Sequence, residues 1–344
     1  MTILSNDGSL AAILAEHAPA LRGVVLRRFS GPADYPAMVS VHNRSMAADQ
    51  VEQVITVEEM ETEFAHLVNC DPHRDLIMVE AGGEVIGCLR VFWRDEEQTG
   101  IRLYNHAAFL VAEWRRRGIG RAMLALAEGR LRQLAADQAH EGRQALYQAF
   151  LSDHQVGATA LLVREGYSAA RYEYIMLRPD LDEIPELPLP AGIEIRPALP
   201  EHYRRIWEAA NDAFRDHWGY FPMLEQEYLA WHREPSFDPS LWRVAWDGDQ
   251  VAGMVLSFIN AAENAEYNRT RGWTEDICVR KPWRRRGLAR ALIARSLRAL
   301  RARGQTEAAL SVDTENVSGA LGLYEGLGYR PIHRWTFYRK PLTH

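Results

Sequence analysis

Cysteine is scarce in this chain: three residues in 344, Cys70, Cys88 and Cys278, far apart and odd in number. That usage excludes a disulfide framework and a clustered metal site, and it fits a reducing compartment, so the cytoplasm is the expected location. No apolar run approaches the roughly 20 residues that a membrane-spanning helix needs. The N-terminus lacks a basic stretch, and Glu16 and His17 interrupt its apolar residues, so no signal peptide is read. Positive charge is not in excess either. A net charge of −6 excludes a general nucleic-acid binder despite two arginine triplets, which have no interleaved aromatics. The expected partners therefore include no membrane, no nucleic acid and no metal.

What is present is a soluble composition, 47% hydrophobic and 25% charged, in a length that suggests two domains. The second half repeats the first. Val25-Leu26-Arg27 corresponds to Glu194-Ile195-Arg196, and Arg115–Gly120 corresponds to Arg284–Ala289. Glu165-Gly166-Tyr167 corresponds to Leu327-Gly328-Tyr329, and the offsets stay between 162 and 169 residues. The pattern predicts a first domain over 1–178 and a proline-rich, extended linker over 179–191. A second domain is predicted over 192–344. Residues 1–22 read as an additional helix ahead of the first repeat. Strands alternating with helices in each repeat predict an α/β, mixed-sheet (α+β) fold, with ligand binding near the carboxyl ends of strands.

The most informative stretch is Asp276–Arg290. Ile277 and Val279 read as strand, Pro282 ends it, and Gly287 opens an Ala/Leu/Arg-rich helix with helical spacing. A tight turn feeding a helix start presents unpaired N–H groups backed by the helix dipole, which suits a pyrophosphate. Gly287 and Ala289 let a phosphate approach the backbone, and the arginines add charge. The first repeat carries the same turn in Arg115, Arg117, Gly118 and Gly120. Downstream of the second turn lie Asn316, Ala320, Leu323-Tyr324-Glu325 and Gly328-Tyr329.

This succession of strand, R-x-x-G-x-G/A turn, helix, strand and Asn…Tyr helix resembles the GCN5-related N-acetyltransferases (GNAT). The likeness covers nearly the whole chain as a tandem pair, a layout similar to mycothiol synthase. The resemblance implies acetyl-CoA as acyl donor, no metal, and transfer to a primary amine of a small molecule by direct attack in a ternary complex. It implies that Arg284, Arg285, Arg286, Gly287, Leu288, Ala289 and Arg290 hold the pyrophosphate. Ile277, Cys278 and Val279 would lie along the pantetheine arm with Asn316. It matches Tyr324 to the tyrosine that protonates the leaving thiolate, and Glu275-Asp276 to the acidic pair of polyamine acetyltransferases. The glutamate of mycothiol synthase falls at Trp273 here, a departure from that pattern.

The chemistry needs such groups. An ammonium of pKa near 10.4 must lose a proton before it attacks a thioester, and a carboxylate can relay it. Glu275 and Asp276 are expected on opposite faces of a strand, with Glu275 facing the cleft and Asp276 beside the acceptor. A backbone donor such as the Val279 N–H would stabilise the oxygen that gains charge. Glu275 could instead pair with an arginine, and Tyr324 could simply pack between helix and sheet. The first repeat has Leu162 where the second has Tyr324, His154 for Asn316, and His106 opposite Glu275. A first domain without catalysis is therefore expected. Phe214, His217, Trp218 and Tyr220 are expected at the acceptor end. A coenzyme-A-binding regulatory module and acetylation of a protein amine remain open, as does a monomer or homodimer.

Overall fold

The computed structural model describes residues 8–19, 21–137, 143–316 and 319–343. The chain divides into two compact α/β units, Met1–Ala170 with Thr336–His344, and Arg171–Trp335. In chain order the first unit begins with α1 (Gly8–His17), β1 (Val24–Arg28), α2 (Tyr35–Ala48), α3 (Val57–Phe64) and α4 (Pro72–Asp75). It continues with β2 (Leu76–Ala81), β3 (Glu84–Asp95), β4 (Arg102–Leu110), α5 (Ile119–Asp137), β5 (Ala145–Ser152) and α6 (Val156–Arg164). Strand β6 (Ser168–Arg178) leads into the second unit, followed by β7 (Glu194–Arg196), α7 (Tyr203–Phe214), α8 (Glu225–Trp231), β8 (Arg243–Asp247) and β9 (Gln250–Phe258). Then come α9 (Ala261–Glu266), β10 (Arg271–Val279), α10 (Leu288–Ala302), β11 (Glu307–Asp313), α11 (Ala320–Glu325) and β12 (Arg330–Pro341).

Strand order is β1-β2-β3-β4-β5 in the first unit and β6-β11-β10-β9-β8-β7 in the second. The pairs β4–β5 and β10–β11 are parallel, and each is joined by the long helix between its strands, α5 or α10. Parallel neighbours need such a crossover, and here it delivers a helix start to the carboxyl end of a strand. Helix α10 is amphipathic: Leu288, Leu292, Ile293, Leu297 and Leu300 are fully buried against Val255, Ala308 and Leu310 of the sheet. Each such side chain stabilises by about 1.5–3 kcal/mol. Gly272 of β10 lets the helix lie this close, since a Cβ there would stand 2.5 Å from Leu300.

The unit boundaries differ from the expected 178 and 192. Glu173–Arg178 of β6 pair antiparallel with Asp313–Ala308 of β11, so the last strand of the first repeat builds the second unit's sheet. The chain's end does the reverse. Leu342 is buried in the first unit's core, Arg339 bonds Gln148 and Glu96, and Lys340 bonds Glu128. Residues 179–191 are extended but not a free linker. Leu181, Ile184, Leu187 and Leu189 pack on the second unit's core. Arginines one turn apart on α10 hold the carbonyls of this strap: Arg295 bonds Leu187 O at 2.7 Å, Arg298 bonds Pro185 O at 2.7 Å, and Arg301 bonds Asp182 O at 3.0 Å. The expected N-terminal helix is α1, and residues 1–7 and 20 of that expectation lie outside the described residues. Helix α11 begins at Ala320, after Gly319 at φ 74°, later than the expected Asn316; positions 317 and 318 also lie outside the described residues.

Candidate active site

The second unit's turn is built from backbone of alternating hand. Arg285 has φ 63° and Gly287 φ 80°, with Arg286 between them, and α10 starts at Leu288. Such alternation aims successive N–H groups into one concavity, a nest for an anion, with the positive end of α10 behind it. A Cβ placed on Gly287 would meet nothing within 4 Å, so the concavity is open. Arg285, Arg286 and Arg290 are exposed around it. Leu288 is buried and Ala289 half-buried, so these two supply backbone only. Arg284 has a different task from its expected pyrophosphate contact. Its Nε donates to Val279 O at 2.8 Å, its Nη2 donates to Ala213 O at 3.1 Å, and Asp216 lies 3.4 Å from Nη1. It ties the turn to the end of β10 and to α7.

The first unit's turn copies this backbone. Arg116 has φ 64° and Gly118 φ 88°. Arg115 donates to Leu110 O at 3.0 Å and pairs with Asp49 at 2.6 Å, as a clamp like Arg284. Arg117 lies over Trp114, 4.9 Å from its ring centre. The surroundings differ, however. A Cβ on Gly118 would stand 2.3 Å from His17 O and 3.0 Å from Ala18 Cβ. The carboxyl end of α1, anchored by buried Leu10, Leu14 and Ala18, lies against the turn. Gly120 approaches Leu161 of α6, whose Cδ2 would lie 3.5 Å from a Cβ there. The negative end of one helix thus faces the positive start of another, where an anion would otherwise go.

Strands β10 and β11 pair only from Arg271–Trp273 against Glu307–Ala309. Past that point Glu275 reaches across, its Oε1 accepting from Ser311 N–H at 2.9 Å. The next residue, Asp276, has φ 47° and forms a one-residue bulge: the pairing with β9 shifts between Glu275 and Cys278. The bulge breaks the simple alternation expected for the two acids. Below it Arg280 N–H donates to Ala252 O at 3.0 Å, so by alternation Val279 turns its N–H away from β9, toward the gap. Ile277 is half-buried and Cys278 is buried under α7, its thiol held up by burial.

Among the described residues Glu275 has no arginine partner. Burial, then the charge of Asp276, raises its carboxyl well above the ordinary range, with Ser311 N–H opposing and Glu173 adding. Asp276 is pushed up to about 6 by the protein around it, although its side chain still reaches solvent, which limits that push. Tyr324 is buried and meets Tyr329 edge-on, with ring centres 6.2 Å apart. Burial, then the charge of Glu275, raises its phenol, so the hydroxyl stays protonated close to that carboxylate. Asn316 lies in the turn after β11, its N–H donating to Asp313 O at 3.2 Å.

At the acceptor end, Phe214 and His217 meet edge-on with ring centres 4.8 Å apart. The Arg171 guanidinium lies 5.3 Å from the Trp218 ring centre. Burial, then Arg284, holds His217 below its usual range, opposed by Asp313 and Asp216. Tyr220 turns inward, donating to Asn211 Oδ1 at 2.9 Å. Trp273 stacks on Phe258, with ring centres 6.1 Å apart. Sequence reasoning missed Glu173, which the pairing of β6 with β11 brings to the same face as Glu275.

The counterpart of Glu275 in the first unit is not His106. His106 Nε2 lies 3.0 Å from Tyr167 Oη, as Thr274 Oγ1 lies 2.8 Å from Tyr329 Oη. His106 therefore stands for Thr274, and Ala107 for Glu275. Strand β4 pairs with β3 without a break, so it lacks the bulge residue that offsets the two repeats by one. Burial, with the charge of Lys340 adding, pushes His106 down to about 4, a neutral structural residue. Leu162 O accepts from Tyr167 N–H as Tyr324 O accepts from Tyr329 N–H, so leucine does stand at the tyrosine position.

Among the described residues no helix is long and apolar enough to cross a membrane. The model of the acetyltransferase (GNAT) family matches residues 42–152 and 203–329. The chain is 29% identical over 302 residues to a mycothiol acetyltransferase of Geodermatophilus obscurus, covering 87% of this chain and 91% of the relative. It is 32% identical over 241 residues to the mycothiol acetyltransferase of Salinispora tropica, covering 69% and 71%. Among solved structures, a GCN5-related N-acetyltransferase from Sphaerobacter thermophilus matches with TM-score 0.71 and 26% identity over 94% of this chain and 97% of that one. A tandem GNAT protein from the clavulanic acid biosynthesis pathway shares the fold, with TM-score 0.64 and 17% identity over 93% and 98%. With both of its repeats matched by one family, the chain belongs to the GNAT acetyltransferases and is an acyltransferase.

Proposed function

We propose that the second unit transfers an acetyl group from acetyl-CoA to a primary amine of a small molecule, and that the first unit is non-catalytic. The observation that carries this reading is the gap between β10 and β11, with Glu275 and Tyr324 beside it and the open turn at its end. The donor supplies a thioester carbonyl that an amine can attack. The amides of residues 285–290, with Arg285, Arg286 and Arg290, would hold its pyrophosphate, and the free edge of Ile277–Val279 its pantetheine arm with Asn316. Glu275 takes the ammonium proton. Its raised affinity for protons makes it a stronger base once ionised, so kcat/KM rises with pH until it has lost its own proton. Val279 N–H faces the oxygen that gains charge as the nitrogen–carbon bond forms. Tyr324 donates toward the sulfur as the carbon–sulfur bond breaks.

The test is thiol release from acetyl-CoA over a panel of amines, with mycothiol-related amines included because of the relatives' name. Glu275→Gln and Tyr324→Phe should each lower kcat by about 10²–10⁴ while leaving coenzyme A affinity in place. Coenzyme A binding without turnover of any amine would leave a binding module instead. Turnover of peptide amines alone would move the acceptor to proteins.

A further inference from the structure

Glu173 lies outside the repeat that holds the proposed machinery, on the strand that closes the first repeat. The registers place it. Trp273 pairs with Ala309, and Ala309 with Leu177; stepping by two along each strand puts Trp273, Glu275, Ser311, Asp313, Ile175 and Glu173 on one face. Helix α10 covers the other face, where Ser257 bonds Ser296 and Gly272 faces Leu300. Glu173 is directly opposite Asp313.

These two acids are treated differently. Asp313 is neutralised by a forked pair with Arg171, at 2.8 Å to both carboxylate oxygens, and Arg171 also holds Glu315 at 2.8 Å. Glu173 has no hydrogen bond or ion pair among the described residues, although it is half-buried and its charge is felt at Glu275. Burial, with Asp313 adding, pushes its carboxyl up to about 7. A half-buried carboxylate without a partner is costly, and a cation entering the cleft relieves that cost. The cleft wall is apolar and aromatic, formed by Ile175 and by Trp273 stacked on Phe258, with Trp218 held over Arg171. Such a wall suits the carbon body of an amine whose charged end reaches the acids.

We propose that Glu173 receives the ammonium of the acceptor and so selects cationic acceptors. The proposal rests on the amine-acetylation reading and assigns Glu173 to binding, while the proton itself still passes to Glu275. Glu173 and Glu275 then hold the acceptor nitrogen from two sides, and Arg171 keeps Asp313 from competing for it.

The experiment uses the full chain. With an amine turned over by the wild type, Glu173→Gln should raise the acceptor KM about tenfold or more, the scale of a hydrogen bond to a charged group. The KM for acetyl-CoA should stay within about twofold, and Glu173→Asp should recover part of the loss. An unchanged acceptor KM, or both KM values rising together as for a distorted strand, overturns the proposal. A second measurement needs no turnover: binding of benzylamine against its neutral isostere benzyl alcohol, followed by tryptophan fluorescence. The wild type should prefer the amine and Glu173→Gln should lose that preference. Loss of preference in an enzyme that acetylates no amine would keep the proposal and sink the acetylation reading. A wild type without preference, or a variant that retains it, overturns the proposal.

Discussion

Gly118 and Gly287 have nearly the same backbone, φ 88° and 80°, each two residues after a left-handed arginine and at the start of a long helix. Beside Gly287 there is open space, and beside Gly118 there is the carbonyl of His17. The comparison teaches that an anion nest is defined by its neighbours as much as by its motif. In the first unit the chain's own helix end takes the place a phosphate would take. The clamp made by Arg115 or Arg284 survives in both, because it fixes the turn to its strand whether or not the turn is used. On this reading the chain binds one acetyl-CoA.

That contrast can be broken. Gly287→Glu places a negative charge in the open nest and should weaken acetyl-CoA binding about a thousandfold, since like charges juxtaposed cost several kcal/mol. Calorimetry should then detect no remaining site. Binding of one equivalent by this variant would show that the first turn is in use. A second contrast is His106, which replaces the threonine of the second unit. Its folded pKa of about 4 lies below the ordinary 6.5, so the unfolded chain binds the proton more readily. The stabilisation is complete above pH 6.5 and is lost as pH falls toward 4, amounting to about 3 kcal/mol at ~1.4 kcal/mol per pH unit. Urea midpoints should therefore fall less steeply over that range in His106→Gln than in the wild type.

Deletion of Asp276 gives β10 the unbroken register of β4. It should cost about a hundredfold in kcat/KM by misplacing Glu275, with acetyl-CoA affinity retained. Equal losses in both would instead make the bulge a purely structural device. The smallest effect is expected for Gly118→Ala. It should lower stability by about 2 kcal/mol through strain and contact with His17, while the KM for acetyl-CoA is unchanged. A changed KM would place the donor in the first unit.

Much of this was legible in the residues. The turns, Tyr324 and Glu275 belong to local patterns, and a local pattern carries its own geometry. The place of Leu162 opposite Tyr324 was legible for the same reason. Three features were not. Glu173 needs the pairing of β6 with β11, between residues far apart in sequence, and the prolines after Pro179 suggested a domain boundary too late. The closure of the first turn depends on residues 17 and 18 meeting residue 118. The bulge is one residue inside a strand, and counting back from the arginines slid His106 onto Glu275 by that one position. Anchoring on Tyr167 and Tyr329 restores the match, because each bonds the residue that truly corresponds.

The first unit includes Thr336–His344. The whole second unit separates them in sequence from the rest of the first, yet Leu342 N–H bonds Ala145 O at 3.0 Å and Phe337 stacks on Phe150 at 4.3 Å. During synthesis, domains ordinarily fold in the order they emerge. Here the first unit stays without its closing strand until residues 171–335 have been made, so its sheet edge stays open while the whole second unit emerges.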